Sequence, residues 1–150
     1  MNLGLYTSID IAASGLTSQR LRLDVIANNL ANINTTRTPK GGAYRRQQTV
    51  FYPRGNYPSF IIPFFQTAIS PNQMGEGVRV VSIKEDPSPL RLVYDPSHPD
   101  ANPSGYVEYP NVNPVTEMVD MISATRAYEA NVQIIQSAKS MAERALQIGG

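Results

Sequence analysis

Residues Ala27-Asn28-Asn29-Leu30-Ala31-Asn32-Ile33-Asn34 close a long apolar repeat, and the reading of that repeat decides the fold. Upstream of it, Leu5, Ile9, Ala12, Leu16, Gln19, Leu23, Ile26, Leu30 and Ile33 recur at alternating four- and three-residue steps, with Gln19 the one polar interruption. A mean step of about 3.5 residues is the coiled-coil period, not that of a helix lying on a globular core. Thr7 followed by Asp10 fits a capping-box start, and Pro39 with Gly41-Gly42 enforces a stop. A helix with such a seam needs a partner.

Proline divides the rest of the chain. All 12 prolines lie from Pro39 to Pro114, and each would cost a helix interior about 3 kcal/mol. The termini can therefore be long helices and the middle cannot. The expected fold is mainly α with a small β insert: an N-terminal helix in residues 1–36, a β-rich and loop insert in 37–114, and a C-terminal helix in 115–150, the two helices pairing as a coiled coil. In the insert, strands are expected over Arg45–Phe51, Val78–Ile83, Leu90–Tyr94 and Gly105–Pro110, with an edge strand or extended loop around Phe60-Ile61-Ile62. The C-terminal helix carries an apolar stripe of Met118, Met121, Ile122, Thr125, Tyr128, Val132, Ile135, Ala138, Ala142 and Leu146, with alanines that permit close approach of another helix. Glu117 and Asp120 suit its positive end, and Gly149-Gly150 ends it.

Composition narrows the function. A net charge of +1 lacks the field of a dedicated nucleic-acid binder, so no nucleic-acid partner is expected. Without cysteine there is no disulfide, thiolate zinc site or cysteine nucleophile. No apolar run reaches membrane-spanning length, and no basic region followed by an apolar stretch marks a cleavable signal peptide. The basic cluster of Arg37, Lys40, Arg45 and Arg46 reads as a salt-bridging rim more readily than a phosphate site. Asp95, His98 and Asp100 form the one constellation resembling chemistry. A metal-dependent enzyme using that loop is the alternative from a different class, but turn residues between prolines ordinarily bond their own backbone. No metal, cofactor or catalytic set is expected. A membrane-surface amphipathic helix is disfavoured by the lack of a basic face.

The asparagines admit two readings, a fraying helix end or a polar ladder that fixes register between chains. Here the sequence resembles a known family. The run Ala27 to Thr35 is similar to the N-terminal signature of the bacterial flagellar axial proteins, which build rod, hook and hook-associated junctions. The stretch Glu117-Met118-Val119-Asp120-Met121-Ile122, with Arg126-Ala127-Tyr128-Glu129-Ala130-Asn131, is similar to the C-terminal one. Thr35 to Arg46, Glu85 to Pro96, His98 to Asn102 and Gly105 to Asn113 resemble the proximal-rod branch.

The resemblance implies a non-enzymatic, torque-transmitting subunit of the basal-body rod. Its partners would be copies of itself, other rod proteins, membrane-ring and adaptor proteins at the rod base, and the type III export apparatus. It implies an assembly seam of Leu5, Ile9, Leu16, Leu23, Ile26, Leu30, Ile33, Met118, Met121, Ile122, Tyr128, Val132 and Ile135. Asn28, Asn29, Asn32, Asn34, Arg126, Tyr128, Glu129 and Asn131 would form the register motif. Much of residues 1–36 and 115–150 is expected to stay disordered in the isolated monomer and to fold on assembly, since the first helix is poor in charge, carries Gly15 and is rich in asparagine.

Overall fold

The computed structural model describes residues 3–54 and 75–148. Its elements are α1 (Leu3–Ala31), β1 (Gln47–Pro53), β2 (Val78–Glu85), β3 (Arg91–Tyr94), β4 (Tyr106–Tyr109) and α2 (Pro114–Ile148). The expected Phe60-Ile61-Ile62 segment lies outside the described residues, as does the side chain of Leu5. α1 begins before the expected Thr7 cap and ends at Ala31, where the asparagine run passes into a turn. The strands form two separate antiparallel ribbons, β1–β2 and β3–β4, and not one small sheet.

α2 starts where it does because Asn113 caps it. Its Oδ1 accepts the Val115 and Thr116 N–H groups at 3.0 and 3.4 Å, and Pro114 occupies the first helical position, where no N–H is needed. The helices pack antiparallel. Asn29 meets Glu117, Arg22 meets Asp120, and Gly15 lies against Asn131, so one helix descends as the other rises. A Cβ on Gly15 would stand 2.8 Å from Asn131 Nδ2, so this glycine makes room for the Asn131 amide between the helices.

The packed face follows the apolar stripes in part, through Ala12, Ile26 and Ala138. Ala12, Val25, Ile26, Ala124 and Ala138 are buried, together with Ser14, Ser18, Asn29 and Glu117. On α2 the buried line Glu117, Ala124 and Ala138 keeps a heptad phase with Asn131, while Met118, Ile122 and Leu146 of the expected stripe are exposed. Ile9, Leu16, Leu23, Leu30, Ile33, Met121, Tyr128, Val132 and Ile135 are half-buried. The physical reason is the crossing distance. Small side chains let the backbones approach, and the larger residues one step around the helix stay on the flank or the outside.

α1 also lies diagonally across the β1–β2 ribbon. At one end Asn29 bonds the backbone of Gln47. At the other, Ser14 Oγ accepts the Val78 N–H at 3.0 Å, and Ser18 Oγ donates to the Val78 carbonyl at 3.5 Å. Gly77 has φ of 99°, and a Cβ there would collide with Ser14 Oγ, so the chain entering β2 must be glycine.

This packing gives the seam an intrachain partner that the sequence did not guarantee. In a dilute monomer, amide hydrogen exchange is expected to be slowest in residues 14–29 of α1 and 117–131 of α2, and fastest toward the far ends of both helices. Uniformly rapid exchange through both helices would show that the pair forms only on assembly.

Candidate functional site: a buried polar node and an outward apolar face

At the base of the helix pair, three elements converge on one carboxylate. Glu117 is 0% exposed. Its Oε1 accepts Arg46 Nε at 2.5 Å, and its Oε2 accepts Asn29 Nδ2 at 3.0 Å. Arg46 also reaches Asp120 Oδ2 at 3.2 Å and Asp86 Oδ2 at 3.9 Å. Asp120 Oδ1 accepts Arg22 at 3.0 Å. Two cations from α1 and the start of β1 thus answer two anions from the first turns of α2.

Asn29 is 1% exposed and uses its whole amide. Nδ2 donates to Glu117 and to the Gln47 carbonyl at 2.8 Å, while Oδ1 accepts the Gln47 N–H and the Tyr44 hydroxyl, both at 2.9 Å. With two donors and two lone pairs all engaged, it has nothing left for a neighbouring subunit. Within the chain, Asn29 fixes the register of α1 against the start of β1. Asn28 and Asn32 pair with each other at 3.0 Å, and Thr35 donates to Asn32 Oδ1. Asn28 also reaches the Tyr44 hydroxyl at 3.3 Å. Asn34, Arg126 and Glu129 are exposed, Tyr128 is half-buried, and Asn131 donates to the Ala127 carbonyl at 2.9 Å.

The roles of Arg46, Glu117 and Asp120 were not legible from their immediate neighbours, which suggested a rim cation and helix-dipole anions. The available signal was phase. Glu117 stands seven residues before Ala124, in line with the close-packed stripe. The rest of the basic cluster is occupied as a rim: Lys40 pairs with Glu85 at 3.5 Å, Arg37 with Asp100 at 4.0 Å, and Arg45 donates to the Asp86 and Ser88 carbonyls.

The Asp95–Asp100 loop bonds itself. Asp95 Oδ1 accepts the N–H and hydroxyl of Ser97, His98 Nδ1 accepts the Asp100 N–H, and Asp100 Oδ2 accepts the Thr36 hydroxyl. The Ser97 bonds hold the Asp95 carboxyl below its ordinary range. Among the described residues, no three His, Asp or Glu side chains are grouped to hold a metal, and no helix is long and apolar enough to cross a membrane.

Outside the node, α2 turns large apolar side chains to solvent. Val115, Met118, Val119 and Ile122 share one face over its first turns, with Met118 52% and Ile122 57% exposed. Small residues inside and large ones outside define a class, the antiparallel helix pair with an apolar outer face. Comparison with known proteins gives the family. Residues 9–37 match the family described as flagella basal body rod protein, and residues 104–148 match that of the flagellar basal body rod FlgEFG protein C-terminal. The chain is 58% identical over 150 residues to the flagellar basal-body rod protein FlgC of Borreliella burgdorferi, spanning 97% of this chain and 98% of that one. It is 46% identical to FlgC of Bacillus subtilis over 148 residues, 96% of this chain and 97% of that one. With FlgC of Salmonella typhimurium it shares 40% over 147 residues, 98% of this chain and 99% of that one. The chain belongs to the FlgC family of flagellar basal-body rod proteins and is a structural subunit of that rod.

Two predictions follow from the node's chemistry. Glu117→Ala takes one acceptor from Arg46, which keeps Asp120 and Asp86, and one from Asn29, which keeps the Gln47 carbonyl; the expected loss approaches the low end of the about 3–5 kcal/mol of a broken buried pair. Urea unfolding of the monomer measures it, and a loss near that of an exposed pair, about 0–1 kcal/mol, would show that the node does not hold the helices. The second concerns Tyr44, whose hydroxyl is raised above 10.0 by burial and then by the Glu117 and Glu85 charges. A raised phenol favours the folded state at every pH below its unfolded value. That contribution is lost as pH climbs through the folded value, when a phenolate would face Glu117. The wild-type protein is therefore expected to lose stability above pH 10 more steeply than Tyr44→Phe, as followed by circular dichroism.

Proposed function

We propose that the chain is a proximal-rod subunit that polymerises through its terminal helices and transmits torque, with no enzymatic activity. In this reading, residues 1–36 and 115–150 form one coiled-coil domain that is completed between subunits, and residues 37–114 form an insert carried on it. The observation that carries the reading is the outward placement of Val115, Met118, Val119 and Ile122 on a helix whose inner face is alanine and polar. Large apolar side chains grouped on one face mark an interaction surface, and a repeated heterologous contact that does not close builds an open helical polymer. The half-buried Ile9, Leu16, Leu23, Leu30 and Ile33 of α1 supply the second part of the seam, with Ile26 already buried within the pair.

The same reading places the subunit in the basal body across the periplasm, delivered by the flagellar type III apparatus without a cleaved signal. Its partners are copies of itself, other rod proteins, and ring and adaptor proteins at the rod base. The FlgC relatives named above, together with the terminal family matches, support this reading.

Ile122→Asp separates assembly from folding. The side chain is exposed in the monomer, so monomer stability is expected to change by about 0.5 kcal/mol or less. A charge buried at a subunit contact costs several kcal/mol. A strain carrying this variant is expected to export the protein and fail to swim. Normal motility with normal export would remove Ile122 from the seam. Leu23→Asp is expected to give the same motility phenotype with a larger loss of monomer stability, because Leu23 is already half-buried.

A further inference from the structure

We infer that the outward face of α2 packs antiparallel against the free face of α1 on a second copy of this chain. The inference rests on the rod-subunit reading and names the surface that its apolar stripe meets. α1 has three faces. Gly15 and Asn29 turn toward α2, and Ser14 and Ser18 turn toward the β1–β2 ribbon. At about 100° per residue, Arg20, Asp24, Ala27 and Ala31 share a sector about 160–220° round the helix from Asn29. All four are exposed.

The free sector of α2 points away from the pair. Val115, Met118, Val119 and Ile122 open it, Arg126 and Glu129 continue it, and all of these are exposed. Its centre lies about 170° round the helix from the buried Ala124.

The two sectors match residue by residue. Along α1, Arg20, Asp24, Ala27 and Ala31 are spaced four, three and four apart. In the opposite direction along α2, Glu129, Arg126, Ile122 and Val119 are spaced three, four and three apart. Alternating four- and three-residue steps are those of a coiled-coil seam. Laid antiparallel, Arg20 meets Glu129 and Asp24 meets Arg126, each cation against an anion. Ile122 and Val119 then come against Ala27 and Ala31, large side chains over small ones. None of the four ions forms an ion pair among the described residues, although each has an opposite charge three or four residues away on its own helix. The chain itself carries both halves of the match in size and in charge, which selects a second copy as the occupant.

The same register relates the copies. The two sectors lie on nearly opposite sides of the helix pair, so one neighbour does not cover both and the contact is heterologous. Within a chain, Asn29 stands level with Glu117 and Gly15 with Asn131. Between copies, Asn29 stands level with residues 120–121, which lie about 5 Å further along at 1.5 Å per residue. Each copy is therefore displaced along the helix axis from the one before it, and repetition generates a helix and not a flat ring.

The chain has no cysteine, so paired cysteines report the contact directly. The full chain carrying Ala27→Cys and Ile122→Cys is produced in cells lacking their own copy. Oxidation of isolated basal bodies is expected to give a ladder of disulfide-linked dimers and higher multimers, and either single variant is expected to give none. Arg20→Glu in the double-cysteine chain is expected to lower the yield about fivefold, and Glu129→Arg added to it to restore the yield. The same two charge reversals without cysteines are read by swimming, so the register is tested even where the cysteine pair impairs assembly. A ladder that stops at dimers, products joined to a different protein, equal products from a single-cysteine variant, or no recovery on adding Glu129→Arg would overturn the inference and leave the rod reading intact. Absence of the wild-type chain from basal bodies would bring down both.

Discussion

The contact between the Glu117 carboxylate, the Arg46 guanidinium and the Asn29 amide is the constraint on which the structure depends. A fully buried carboxylate without partners costs several kcal/mol. Here each oxygen is answered from a different element, one from the residue before β1 and one from α1. None of the three can shift along its axis without stranding the other two. The node therefore does more than attract. It fixes where β1 begins relative to the last turns of α1 and the first turns of α2, and so sets the phase of both helices.

That phase determines which residues are left outside. With Glu117 inward, the residues in line behind it are Ala124, Asn131 and Ala138, and Asn131 seats its amide against Gly15. Burying a leucine or isoleucine would contribute about 1.5–3 kcal/mol, and the pair forgoes much of that gain by keeping Met118 and Ile122 exposed. A domain built to be stable alone would have rotated α2 by one position. The polar node opposes that rotation and so keeps the apolar face of α2 outward.

Much of this was legible. The proline borders fixed the helix–insert–helix order, and each ribbon strand has its apolar run in the sequence. The turn character of Asp95 to Asp100 follows from its prolines and short polar side chains. The apolar periodicity marks the large residues as an assembly seam. Within the chain, Ala12, Ile26 and Ala138 of the two stripes pack inward beside Ser14, Gly15, Ser18, Ala124 and Asn131, and most of the larger residues lie on the flank. The asparagine run was ambiguous. Residue type shows that an amide can bridge backbones, while only the position of Gln47 beside Asn29 shows which backbone it bridges.

The dimensions of α1 and the ribbon connect these features. From Ser14 to Asn29 a helix rises about 22 Å at 1.5 Å per residue, and the six steps of the seven-residue β1 extend about 20 Å at 3.3 Å per residue. The two lengths match, so α1 can bond backbone groups at both ends of the β1–β2 ribbon, Gln47 through Asn29 and Val78 through Ser14 and Ser18. Gln47 and Val78 lie on different strands and at opposite ends of the ladder. A helix fastened at one end alone would leave the ribbon free to pivot. Fastened at both, the ribbon must move with α1, and α1 moves with α2 through the Glu117 node. A sideways load on the insert is thereby shared along about fifteen residues of α1 and does not concentrate at the loop after Ala31, a mechanical property suited to a subunit of a rod.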